Sequence, residues 1–274
     1  MNREIQQLSR HVCDLGEGLH CDTDFVAWVD IHRGELLILG ETGLKRHSLP
    51  VKPSVIFGRR ENSLQIGTDR GVLWFQLDTC DFRLSGWCGL PHQFEQFRSN
   101  DGCLGRDFGL VGFMHREDPL SNKGSVCRFN GNQLALLDKD IHIPNGFVFI
   151  DDTHVLICDS LESRIYVYSF NRAGQLIDKI LFHQFESAVT PDGGCLVNNR
   201  IWFALWDGGA LACLDKAGNE VERVMVPCKR PTNCKFDSAR RKIVFTSASV
   251  DLQEDEWQGT TFSLALPTMR VDYQ

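Results

Sequence analysis

The sequence predicts an all-β fold, a six-bladed β-propeller of four-stranded antiparallel blades around a central channel, and three observations carry that prediction. First, a short polar segment recurs before a run of alternating hydrophobicity: Leu15-Gly16-Glu17-Gly18, Ser99-Asn100-Asp101-Gly102, Pro144-Asn145-Gly146, Pro191-Asp192-Gly193 and Pro231-Thr232-Asn233. The spacing is roughly 40 to 50 residues, with a gap of about two periods after the first, which is the repeat length of a propeller blade. Second, short apolar runs lie between turn residues, and 24 Gly and 18 Phe suit a turn-rich β protein. Third, no sustained helical periodicity is found.

Taken in order, the second strand of each blade is read at Ala27–Ile31, Val72–Phe75, Leu110–Met114, Val155–Cys158, Ile201–Leu205 and Ile243–Thr246. A third strand follows a Gly or charged turn at 34–39, 124–129, 164–168, 209–214 and 259–264. The second blade is the least regular; its innermost strand is placed at Ser54–Arg59, with no evident polar residue for the axis. The segment Glu4–Val12 is expected to add an outer strand to the last blade, so that the ring closes without exposed edges. The whole of residues 1–274 is read as a single propeller domain.

Radial arrangement turns the repeat into a site. Equivalent positions at the start of each innermost strand face the axis from one end, so Glu17, Asn100, Asn145, Asp192 and Asn233 should form a ring of carboxylates and amides. Such an oxygen-rich ring suits a hard divalent cation. His20 is set aside as a ligand because it points to the other side of its strand from some ring neighbours. Antiparallel order brings Arg98, Glu117, Asp159 and Asp207 to the same end.

Net charge is −7 with both signs interspersed, so there is no basic stripe for nucleic acid and no polybasic membrane patch. No apolar run approaches the roughly 20 residues of a membrane span, and Met1–Val12 lacks the apolar core of a signal peptide. The eleven cysteines are scattered through apolar strands without a Cys-x-x-Cys pair, the pattern of a reducing cytoplasm rather than a disulfide scaffold or thiolate zinc site. Oligomeric state is not legible.

In this order and at this spacing, the motifs resemble the gluconolactonase, senescence-marker-protein (regucalcin) and luciferin-regenerating-enzyme family of six-bladed propellers. The carriers are Leu15–Gly18, Trp28-Val29-Asp30-Ile31, Arg98–Gly102, Pro144–Gly146, Asp159-Ser160, Pro191–Gly193, Ala204–Gly209 and Arg230–Asn233. Leu19-His20 departs from the Pro and aromatic residue usual in the family. The resemblance implies one divalent metal, calcium or zinc foremost and magnesium or manganese also fitting, held by Glu17, Asn145 and Asp192. It further implies that Arg98, Asn100 and Glu117 contact the substrate, a small sugar-acid lactone; Asp192 is the expected general base, because a metal-bound carboxylate within hydrogen-bond reach of the attacking water can still accept its proton. Two carboxylates and an amide offset a doubly charged ion without surplus charge. No Gly-x-Ser-x-Gly elbow surrounds Ser99 or Ser160, and Cys103 and Cys195 read as packing residues, so no covalent nucleophile is expected. A calcium-binding or scaffold propeller without turnover, and an esterase or phosphotriesterase, are the alternatives.

Overall fold

The computed structural model describes residues 3–91, 95–171, 173–186, 189–253 and 255–266. After β1 (Ile5–Ser9), blade one comprises β2 (Gly16–Cys21), β3 (Phe25–Asp30), β4 (Glu35–Gly40) and β5 (Gly43–Ser48). Blade two is β6 (Pro53–Arg60), β7 (Ser63–Thr68), β8 (Gly71–Gln76) and β9 (Phe82–Gly86). Blade three is β10 (Phe97–Leu104), β11 (Gly109–His115), β12 (Ser125–Asn130) and β13 (Gln133–Asp138). Blade four is β14 (Pro144–Phe149), β15 (His154–Asp159), β16 (Arg164–Phe170) and β17 (Leu176–Gln184). Blade five is β18 (Thr190–Val197), β19 (Arg200–Trp206), β20 (Ala210–Leu214) and β21 (Glu220–Met225). Blade six is β22 (Pro231–Asp237), β23 (Lys242–Ser247) and β24 (Thr261–Ala265), completed by β1.

The six antiparallel sheets form a ring, because each innermost strand packs on the next in the cycle β2, β6, β10, β14, β18, β22 and back to β2. Closure is made by β1 on β24, with Ile5 opposite Leu264 and the Ala265 amide donating to the Glu4 carbonyl at 2.9 Å. The N-terminal segment thus supplies the outer strand read from the sequence.

The sequence reading needs one correction, in blade two. Val72–Phe75 lies in the third strand, β8, and the second strand is β7. Ser63, Gln65 and Thr68 make β7 look like a turn region, yet its interior is buried on both faces, Gln65 included. The hairpin before it turns at Glu61, which takes a positive φ of 52°.

Apolar cores sit between blades. Phe25, Val29 and Leu36 of blade one meet Ile56, Leu64 and Leu73 of blade two; Val148, Ile165 and Phe203 join blades four and five; Trp28 and Val244 join blades one and six. Facing sheets bury both sides of the middle strands, so β3 and β20 are buried throughout while outer strands such as β5 and β17 have no buried position. Among the described residues, no helix is long and apolar enough to cross a membrane.

Candidate functional site

Every innermost strand slips register close to its polar start: between Glu17 and His20, Pro53 and Val55, Ser99 and Gly102, Asn145 and Val148, Pro191 and Gly194, and Pro231 and Cys234. A bulge inserts an unpaired residue and re-aims the chain. In a regular strand Asn100 and Asp101 would face opposite sides; here both face the channel, Asn100 lining its upper end and Asp101 its lower. Gly18 and Gly146 make two of these bulges. Both have positive φ, 59° and 57°, and a Cβ on Gly146 would meet the Asp192 carbonyl oxygen at 2.6 Å.

The loops entering the innermost strands are pinned by a repeated device. Asp30, buried at the end of β3, accepts the Asp14 amide at 2.8 Å, and Asp159 at the end of β15 accepts that of His142 at 2.8 Å. Asp69 does the same for Lys52 at 3.0 Å. Asp159 is therefore a clamp rather than a ligand, and Asp207 pairs with Arg230 at 2.7 Å.

Five of the sequence-predicted residues, Glu17, Arg98, Asn100, Asn145 and Asp192, line one upper pocket of about 270 Å³. Glu117 does not join them: it is exposed in the turn after β11, its amide directed to His115 Nδ1. Asn233 belongs to the ring but lines the lower cavity, and its Nδ2 donates to Glu17 Oε2 at 3.1 Å. In blade two the Ser54 hydroxyl, at the start of β6, is paired with that of Ser99 at 2.7 Å.

The ring is electrostatically loaded. Burial and the nearby Asp101 carboxylate push Glu17 up to about 7, and burial together with Glu17 and Asp101 raises Asp192 well above the usual carboxylate range. Burial also raises Asp101, which Lys235 partly offsets. Arg98 faces these groups; burial and Arg116 push it down to about 10, so it stays protonated at neutral pH. Its Nη1 donates to Asn100 Oδ1 at 2.7 Å and to the Ser99 carbonyl, while Asn100 Nδ2 donates to the Pro144 carbonyl at 3.1 Å. Asn145 Nδ2 donates to Asp192 Oδ1.

Among the described residues no trio of His, Cys, Asp or Glu side chains converges in metal-ligating geometry. The candidate set depends instead on an amide beside two carboxylates, and it fits a hard divalent cation: the donors are oxygens, and the buried carboxylates repel one another until a cation or protons relieve them.

Sequence reasoning missed the apolar lining, formed by Leu15, Ile31, Met114, Ile143 and Trp206. These positions lie beside the polar motifs, where composition gives no sign of which face they take. Trp206 is braced by the Arg230 guanidinium, 4.9 Å from its ring. Cys103, Cys195 and His20 line the opposite cavity, away from the upper pocket.

Comparison with known proteins gives a consistent picture. The SMP-30/Gluconolactonase/LRE-like region matches residues 15–249. The chain is 29% identical to a pentonolactonase of Haloferax volcanii over 235 residues, covering 82% of this chain and 78% of the relative. It superposes on a calcium-binding regucalcin of Agrobacterium tumefaciens with a TM-score of 0.88 at 25% identity, over 96% of this chain and 94% of that one. A gluconolactonase of Xanthomonas campestris shares the fold, with a TM-score of 0.75 at 20% identity over 97% and 90% of the two chains.

Proposed function

The chain belongs to the SMP-30/gluconolactonase/LRE-like family, and from that premise we propose that it hydrolyses a sugar-acid lactone with the help of one divalent metal ion. The observation that carries the reading is the convergence of Glu17, Arg98, Asn100, Asn145 and Asp192 on one pocket in a chain similar to a pentonolactonase. A volume of about 270 Å³ admits a single sugar ring.

Glu17, Asn145 and Asp192 would hold the ion, which when bound supplies positive charge to polarise the lactone carbonyl. The oxygen ligands suit calcium, magnesium or manganese as well as zinc, and the calcium-binding relative speaks for calcium.

Arg98, fixed by Asn100 and the Ser99 carbonyl, would direct its remaining N–H groups to the substrate's oxygens, and Asn100 would keep it in place. Asp192 takes a proton from the attacking water as the water oxygen bonds to the carbonyl carbon. The ring C–O bond then breaks, the departing oxygen takes up that proton, and a hydroxy acid leaves. Asn145 Nδ2 donates to Asp192 Oδ1 and so fixes the orientation of the carboxylate. The apolar walls limit competing water. Glu117, on the turn at the same end, is assigned at most an outer contact with substrate. The eleven free thiols support a reducing, cytoplasmic setting, and residues 1–274 are assigned to one domain.

A second reading, a calcium binder without turnover, is favoured by the calcium-binding relative. The test is a pH-indicator assay of metal-free protein on aldonolactones, with calcium, zinc, manganese or magnesium added singly. Metal-restored acid release supports the lactonase; metal binding without acid release on any lactone supports the binder.

A further inference from the structure

The channel has a second cavity that the proposed reaction does not use. At the opposite mouth a space of about 400 Å³ lies below the ring, with Leu19, Val55 and Phe57 among its walls. Lys235, two residues beyond Asn233 on β22, lines it and donates from Nζ to the Gly194 carbonyl at 2.9 Å. Among the described residues Lys235 makes no ion pair, whereas the other cations near this mouth are matched, Arg59 with Asp22 at 3.3 Å and Arg240 with Asp237 at 2.7 Å.

Asn233 is only 1% exposed, its Nδ2 is taken by Glu17, and its Oδ1 is closed to solvent with no hydrogen-bond partner among the described residues, so it offers a ligand nothing. The Asp101 carboxylate and the Lys235 ammonium line the cavity, whose volume is several times that of a water. The cavity therefore carries an acceptor and a cationic donor beside an apolar wall. Near Asp101 an anion is repelled and a hydroxyl donor is welcome; at Lys235 the reverse holds.

We propose that the lower mouth is a second small-molecule site, separate from the upper pocket, that takes a small polyhydroxy carboxylate, with the carboxylate on Lys235 and a hydroxyl donor on Asp101. The carbon chain lies against Leu19, Val55 and Phe57. This assignment rests on the lower mouth alone and does not use the lactonase reading.

The test is calorimetric titration of the full chain with sodium D-gluconate at fixed ionic strength, in wild type, Lys235→Met and Lys235→Arg, with neutral sorbitol titrated into wild type. Loss of a charge-assisted hydrogen bond should weaken gluconate about tenfold or more in Lys235→Met, with Lys235→Arg close to wild type. Sorbitol should bind at least about tenfold more weakly than gluconate. The proposal is overturned if gluconate does not bind, if Lys235→Met binds it as tightly as wild type, or if sorbitol matches gluconate. The sorbitol comparison needs no variant and decides the matter even if Lys235→Met fails to fold. A lactonase that ignores gluconate at Lys235 would sink this site alone; gluconate binding without lactone turnover would sink only the catalytic reading.

Discussion

The upper and lower mouths of the channel share the innermost strands β2, β10 and β18, a few residues apart, yet they present different charges. At the upper mouth Glu17 and Asp192 face a pocket with Asn145, Asn100 and the anchored Arg98. At the lower mouth Lys235 and Asn233 stand beside Asp101. In β2 and β10 the division falls at the bulge, where Glu17 and Asn100 serve the upper pocket and Gly18 and Asp101 begin the lower cavity. Burial makes the contrast strong, since charges removed from water are weakly screened. One strand pattern, repeated around a ring, thereby yields a cation-seeking end and an anion-accepting end.

The largest expected effect tests which mouth does chemistry. Asp192→Asn should lower lactone kcat/KM by on the order of a thousandfold, the usual contribution of a general base, while Lys235→Met should leave it within about twofold because Lys235 lies outside the upper pocket. Equal losses in the two variants would erase the functional distinction between the mouths.

The bulges that separate the mouths come next. At Gly146 the positive φ and the approach of the Asp192 carbonyl should make Gly146→Ala destabilising by about 3 kcal/mol, measured as a lower denaturation midpoint. A neutral result would mean that the bulge adapts to a side chain.

The upper carboxylates also predict a pH dependence. Glu17 sits above its ordinary 4.5, at about 7, with Asp192 raised too. A folded-state pKa above the unfolded value contributes stability below the unfolded pKa and loses it as pH rises through the folded one. Metal-free protein should therefore lose on the order of 3 kcal/mol between about pH 4.5 and about pH 8, and a bound divalent cation should reverse the loss. Thermal melts with chelator and with added calcium measure both; a metal-free Tm that rises over this range would contradict the assigned repulsion. The smallest effect concerns Glu117: exposed and outside the lining, its replacement by Gln should change kcat/KM less than about threefold. A hundredfold loss would mean that the turn closes over substrate.

Much of this was legible because a blade is a local repeat. Polar starts at regular spacing identified the axis, and apolar runs identified most middle strands. β7 escaped because Ser63, Gln65 and Thr68 disguise a strand buried on both faces, where the environment rather than the residue type sets burial. The clamps of Asp30 and Asp159 escaped because their partners are backbone amides of the preceding loop, about which side-chain identity says nothing.

The sequence by itself determined the all-β repeat and the residue types brought to the axis, since periodicity and turn chemistry act over a few neighbouring residues. Only the tertiary structure decided that Asn100 serves one mouth and Asp101 the other, that Asn233 keeps an unpaired oxygen, and that Glu17 and Asp192 raise each other's proton affinity. These properties depend on bulges and on closure of the ring, which bring together strands from blades one, five and six that lie far apart along the chain.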